Sequence, residues 1–243
     1  MANKKQVARA AAAAQQKAEQ AKLDKRNMII GIVAVVLVAA VALFLILGGK
    51  DEPAQNTNPT TVTESAPSAA NEIEAKATHN VTIEIENYGT ITAELYGEVA
   101  PITVENFVKL AGEGFYDGLT FYRIIDGFMI QGGDPRGNGT GGSDQNIKGE
   151  FKANGVDNPI THQRGVLSMA RSSAYDSASS QFFIMHQVSP WLDGQYAAFG
   201  CVLEGMDVVD AICANTPVTD GNGTVAKANQ PKITSIKVTE VAE

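Results

Sequence analysis

The stretch from Phe121 to Pro135 reads FYRIIDGFMIQGGDP and brings an arginine, a glutamine, a phenylalanine and a methionine together across a sharp turn. Asp126-Gly127 is a strong turn dipeptide between two apolar, β-branched runs, so the stretch is a hairpin. A two-residue loop would set Arg123 opposite Ile130. A three-residue loop, Asp126-Gly127-Phe128, pairs Ile125 with Met129 and Arg123 with Gln131. This second register is preferred, because it gives the cation a polar neighbour. Cross-strand partners share a face, so Arg123, Met129 and Gln131 then stand together with Phe128 at the loop. An exposed cation beside a carboxamide and a hydrophobic shelf suits a polar, uncharged ligand.

Other chemistries find less support. Gly137 to Gly142, GNGTGG, formally matches G-x-G-x-x-G. It joins no strand to a helix, and the polar SDQNIKGE follows, so it reads as a flexible loop. His79, His162 and His186 lack ligand spacing, and no metal site is expected. Asp117, Asp126 and Asp134 sit in turns, where aspartate is common, and no G-x-S-x-G is present. Cys201 and Cys213 fall on a strand and the following helix; a disulfide and two buried thiols are both open readings.

The elements that hold this hairpin come after a long lead. The chain of 243 residues has a net charge of −8. Residues 1–27 carry seven Lys/Arg against Glu19 and Asp24, a net of +5, which leaves −13 for the remainder. An acidic body argues against nucleic-acid binding. Residues 8–22 are rich in Ala, Gln, Lys and Glu and form a helix with little to bury, a solvated or membrane-surface tail. Met28 to Leu47 is twenty residues without a charge, enough to cross a hydrocarbon core of about 30 Å. A cleaved signal peptide is the competing reading, but the apolar run is too long and no small-x-small site follows directly. The expectation is a single-pass anchor with a cytoplasmic basic tail and everything after residue 50 extracytoplasmic. Residues 48–78 are rich in Pro, Thr, Asn, Ser and Glu and read as a flexible linker with a reach of about 30 Å.

Residues 79–243 form the globular part. Val81, Ile83 and Ile85 alternate with polar residues, Asn87-Tyr88-Gly89 turns, and Ile91, Ala93 and Leu95 alternate again. Pro101 to Ala111 reads as a helix, with Pro near its start and Gly112 after its end. Strands are expected around 166–170, 181–186 and 197–203, a second helix over 206–214 and a last strand over 232–238. Many short strands, two helices and no βαβ rhythm predict an antiparallel barrel capped by helices.

The blocks FYRIIDGFMIQGGDP, GNGTGG, GVLSMAR, SQFFI, WLDGQYAAFG and EGMDVVDAI occur in this order, and together they resemble a cyclophilin-type peptidyl-prolyl cis–trans isomerase over residues 79–241. The resemblance implies a mainly β fold, a closed eight-stranded antiparallel β-barrel with a helix at each end. It places the active site on an outer face of the barrel. Carried over block by block, it implies Arg123, Gln131 and Phe128 as catalytic residues. Met129, Ala170, Arg171, Gln181, Phe183, Trp191, Leu192 and Tyr196 are implied as substrate-binding. Tyr122 stands where a histidine is common and should point to the opposite face with little effect. Tyr196 replaces a histidine bordering the proline pocket, and Arg171 replaces an asparagine, so preferences beside the proline should differ.

Such an enzyme needs no cofactor. Its partners would be proline-containing polypeptides, with a cyclosporin-type ligand implied by the resemblance. The apolar pocket would grip the pyrrolidine ring while Arg123 donates to the nitrogen of the twisted imide. The alternative is a proline-peptide binding module or holdase without turnover; Arg123 favours catalysis. Three N-x-T sites, at Asn80, Asn138 and Asn222, would be glycosylation acceptors in a eukaryotic secretory route. Asn138 lies close to the expected site, which favours a bacterial setting.

Overall fold

The computed structural model describes residues 73–241. The basic tail, the apolar run Met28–Leu47 and nearly all of the linker lie outside them. Among the described residues no helix is long and apolar enough to cross a membrane.

Eight strands form one curled antiparallel sheet: β1 (His79–Ile85), β2 (Gly89–Leu95), β3 (Arg123–Ile125), β4 (Met129–Gly132), β5 (Val166–Met169), β6 (Phe182–Met185), β7 (Ala198–Glu204) and β8 (Ile233–Glu240). Their order across the sheet is β3-β4-β6-β5-β7-β2-β1-β8. Helix α1 (Pro101–Gly112) packs on β8, and helix α2 (Met206–Asn215) packs on β2 and β3. These spans lie within two residues of those expected. Pro101 opens α1 where its missing N–H costs nothing.

The continuous ladder of a closed barrel is not formed. The edge strands β3 and β8 do not pair with each other. The seam between them is stitched just before each strand, by a Thr120–Lys232 bridge and by hydrogen bonds from Phe121 N to Pro231 O and from Ile233 N to Leu119 O. The other edge of β3 is taken by the loop at Gly223 and Thr224, through an Arg123–Thr224 bridge and Ile124 N donating to Gly223 O at 2.8 Å.

Apolar side chains sort into two clusters on opposite faces of the sheet. The inner one is centred on Phe107, whose ring lies 5.1 Å from Tyr116, 5.4 Å from Phe182 and 5.3 Å from Phe199. It fills the interior, which leaves the outer face as the place for a cleft. The outer cluster holds Met129, Phe183, Met185, Leu192 and Cys201, with Phe128, Ala170 and Tyr196 packed against it. Strand β6 serves both: Phe182 and Ile184 point inward, Phe183 and Met185 outward. All four are buried, so this strand shows no polar alternation. Cys201 belongs to the outer cluster and Cys213 to the inner one, and no disulfide joins them.

Candidate active site

The β3–β4 hairpin has the expected register: Arg123 faces Gln131, Ile124 faces Ile130 and Ile125 faces Met129. Phe128 N donates to Ile125 O at 3.0 Å, closing the turn. Gly127 takes φ 73°, a conformation that favours glycine. A Cβ there would meet nothing within 4 Å, so the demand is conformational and not steric. Ile124 and Ile130 enter the inner core, which turns Arg123, Met129 and Gln131 to the outer face.

Arg123 is held at three of its five N–H donors. Nη1 donates to Gln131 Oε1 at 3.2 Å, Nε to Asn222 O at 2.9 Å and Nη2 to Asn222 Oδ1 at 3.3 Å. Two N–H groups are left for a ligand, one on each terminal nitrogen. Asn222 sits in a loop clamped to β3 by Ile124 N donating to Gly223 O at 2.8 Å. Asp220 organises that loop. The N–H groups of Thr224 and Asn222 bond its exposed carboxylate and lower its pKa.

Gln131 is itself oriented from behind. Its Nε2 donates to Gln181 Oε1 at 3.0 Å and to the Tyr122 hydroxyl, which in turn donates to Gln181 Oε1. Gln181 Nε2 donates to Gly141 O at 2.7 Å. A backbone carbonyl only accepts, so Gly141 fixes which way Gln181 faces. Gln181 then fixes Gln131, and Gln131 presents its oxygen to the guanidinium. This is a correction for Tyr122: its hydroxyl reaches the site instead of pointing away. The residue precedes β3 at the sheet edge, where its ring swings past the end of the ladder and packs beside the loop at Gly139. Tyr122→Phe should lower kcat/KM about fivefold, one hydrogen bond of about 1 kcal/mol, with KM little changed. Steady-state kinetics on an X–Pro peptide checks this.

Nine of the expected residues line one cleft of about 130 Å³: Arg123, Phe128, Met129, Gln131, Ala170, Arg171, Phe183, Leu192 and Tyr196. Two do not. Gln181 turns its carboxamide into the network behind Gln131. Trp191 is 67% exposed and stands outside the cleft, its ring 5.9 Å from Phe128. Tyr196 meets Phe183 edge-on at 6.0 Å. Arg171 lies over three rings, 4.6 Å from Tyr196 and 5.1 Å from each of Phe151 and Tyr175.

Residue reasoning missed Tyr122, Asn222 and His162. The His162 ring stacks 6.1 Å from Phe183, Nδ1 lies 2.9 Å from Asp193 Oδ1, and Nε2 lies 3.0 Å from Ser168 Oγ. A carboxylate only accepts, so Nδ1 carries the proton and the serine donates to Nε2. Burial lowers the pKa of His162 although Asp193 opposes it, so the ring stays neutral behind Phe183. Only its place beside Asp193 in the fold identifies it; no sequence spacing does.

The glycine-rich loop is wrapped around Asp134, which is 1% exposed. Its carboxylate accepts from Arg136 N at 2.8 Å, Asn138 N at 3.1 Å and Gly139 N at 2.6 Å. The loop's inward N–H groups therefore hold the protein's own carboxylate, unlike those of a phosphate cradle.

The family description "Cyclophilin type peptidyl-prolyl cis-trans isomerase/CLD" matches residues 80–240. Peptidyl-prolyl cis-trans isomerase B of Bacillus subtilis (strain 168) is 51% identical over 123 residues, 51% of this chain and 82% of that protein. A peptidyl-prolyl cis-trans isomerase of Helicobacter pylori (strain J99) is 48% identical over 128 residues, 52% of this chain and 76% of that protein. Among solved structures, a Cryptosporidium parvum cyclophilin type isomerase crystallised in the presence of the dipeptide Ala-Pro aligns with a TM-score of 0.58 and 32% identity. That alignment covers 66% of this chain and 98% of the other. On these matches and this fold, the chain belongs to the cyclophilin-type peptidyl-prolyl cis–trans isomerase family and is an enzyme of that class.

Proposed function

We propose that Arg123 catalyses isomerisation by donating to the proline nitrogen as the X–Pro bond twists. We further propose that the enzyme works outside the cytoplasm, tethered to a membrane through Met28–Leu47, on exported polypeptides. The observation that carries the mechanism is the guanidinium held by Gln131 and Asn222 with two N–H groups to spare, at the edge of an apolar cleft.

Rotation about a peptide bond faces a barrier of about 18–20 kcal/mol because amide resonance must be broken. At the transition state the nitrogen is pyramidal and its lone pair accepts a hydrogen bond, which the planar amide cannot do well. A fixed donor therefore binds the twisted state better than either planar one. Phe128, Met129, Phe183 and Leu192 grip the ring and exclude the water that favours the polar planar carbonyl. Lowering the barrier by about 7 kcal/mol would give roughly a 10⁵-fold acceleration. The Ala-Pro dipeptide named with the Cryptosporidium structure supports a proline-containing ligand here.

No proton is transferred, so kcat/KM should be nearly flat from about pH 6 to about pH 9. A steep bell-shaped profile would overturn the mechanism. Arg171 sets the preference beside proline, since its Nε and Nη1 are engaged by Gln195 O and Ser172 O while Nη2 is left to the cleft. Peptides with Glu at one of the positions flanking proline should react about fivefold better than those with Lys, an exposed ion pair of about 1 kcal/mol. Arg171→Ala should remove the difference, and added salt should shrink it.

The same cleft is the proposed seat of a cyclosporin-type ligand. Competitive inhibition together with a change in the fluorescence of Trp191, the single tryptophan, tests that reading. Protease added outside intact cells should degrade the isomerase domain if the orientation is right, and spare it if the domain is cytoplasmic.

A further inference from the structure

Where the β3–β4 turn meets α2, three side chains from distant parts of the chain, none of them lining the cleft, converge. Asp126 comes from the β3–β4 turn, His186 follows β6, and Cys213 lies in α2. One ligand atom from each lies within 4.8 Å of the others. His186 Nδ1 and Asp126 Oδ1 are 3.4 Å apart. A tetrahedral zinc site separates its donor atoms by roughly 3.3–3.8 Å, so this pair is already at coordination spacing and Cys213 needs only a small shift.

The second observation is the support behind the histidine. Asp210, one turn before Cys213 on α2, accepts from His186 Nε2 at 3.0 Å. Arg164 Nη2 grips both oxygens of Asp210, at 2.7 and 2.8 Å, and its Nη1 donates to His186 O at 2.8 Å. The proton is thereby fixed on Nε2 and the Nδ1 lone pair is turned toward Asp126. A carboxylate holding the distal N–H of an imidazole is the arrangement that orients metal-bound histidine. The lone pair presently accepts from Gly127 N at 2.9 Å. Gly127 is exposed, so that amide turns to water when a stronger partner takes its place.

We propose that Asp126, His186 and Cys213 bind a borderline divalent cation of the zinc class, with Arg164 and Asp210 as the supporting shell. Imidazole, carboxylate and thiolate together select this class over hard cations, which take oxygen alone. Cys213 is 9% exposed, and burial, with Asp126 and Asp210 adding to it, pushes its thiol up to about 12. The same carboxylates that oppose a thiolate attract a cation. On binding, the thiol proton leaves to solvent, the sulfur–metal bond forms and no electron is transferred.

Cobalt(II) added to the chelator-treated full chain tests the site, because a thiolate ligand adds a sulfur-to-cobalt charge-transfer band. One equivalent should produce that band, and Zn²⁺ should displace it. Cys213→Ser should abolish the band while leaving isomerase activity unchanged in the absence of metal. Asp126→Asn, on an exposed turn where folding is not at stake, should weaken binding at least fivefold. The chain's other cysteine, Cys201, is fully buried in the outer cluster, so it offers no substitute ligand. Absence of the band in folded protein, its persistence in Cys213→Ser, or unchanged affinity in Asp126→Asn would each overturn the proposal.

Discussion

Arg123→Ala is expected to lower kcat/KM for an X–Pro peptide by about 10²- to 10³-fold while changing peptide affinity only a few fold. The magnitude follows from the loss of one preorganised donor aimed at a charge that develops only in the transition state, about 2.7–4 kcal/mol. Ground-state affinity survives because it resides in the apolar walls, which the substitution leaves in place. Stability should change little. Gln131 is half-buried and Asn222 exposed, so the oxygens that lose the guanidinium can turn to water. Arg123→Lys separates charge from geometry, since an ammonium keeps the charge but cannot reach Gln131 and both Asn222 acceptors together. It should recover only part of the rate. Exchange NMR on one peptide reports both quantities, the isomerisation rate and the bound fraction. A rate that survives Arg123→Ala would remove the proposed mechanism; affinity falling in parallel with the rate would make Arg123 a binding residue instead.

The half of the site that lies on one hairpin could be read from the chain because its geometry is local. Asp126-Gly127 marks the turn, and pairing the only nearby cation with the only nearby carboxamide chooses the register. The other half could not be read locally. Phe183 and Leu192 entered only through the family blocks, since nothing in FFIM distinguishes the ring facing the cleft from the one facing the core. Both are buried, and a strand covered on both faces has no alternation to read.

Asn222 was invisible for another reason: it approaches Arg123 across 99 residues of chain, on a loop with no periodicity. Gly223 shows how specific that approach is. A Cβ there would lie 2.3 Å from Ile124 O. Tyr122 escapes the alternation because it lies one residue before β3, where the pleat no longer dictates its direction. The sheet wraps as the family's barrel does, while its β3–β8 seam is held by a few bonds instead of a continuous ladder.

Asp134→Ala is the substitution expected to cost the most stability, about 3 kcal/mol, because it takes the shared acceptor from the part-buried N–H groups of Arg136, Asn138 and Gly139, at about 1 kcal/mol each. A small side chain cannot fill the space, and Gln181 and Gln230 hold the loop only at its Gly141 and Gly137 carbonyls, so they cannot replace the acceptor lost at Asp134. For a domain of this size the loss corresponds to a fall in Tm of roughly 10 °C. The sign with pH is fixed by the carboxylate. Burial alone would raise its pKa, but the N–H groups of Arg136, Asn138, Gly141 and Gly139 outweigh it and bring the pKa below the usual value. Its contribution is therefore complete above the unfolded value of about 3.9 and is lost as pH falls through the lowered native one. The Tm gap between wild type and Asp134→Ala should be widest near neutral pH and should narrow in acid below about pH 4. Activity should fall as well, since Gly141 O is the acceptor that starts the chain of bonds through Gln181 and Gln131 to Arg123. With the cleft walls intact, the loss should appear in kcat before KM. A gap that stays constant down to acid pH would show that the loop is held by packing, and the carboxylate would lose its role as the organiser of the site.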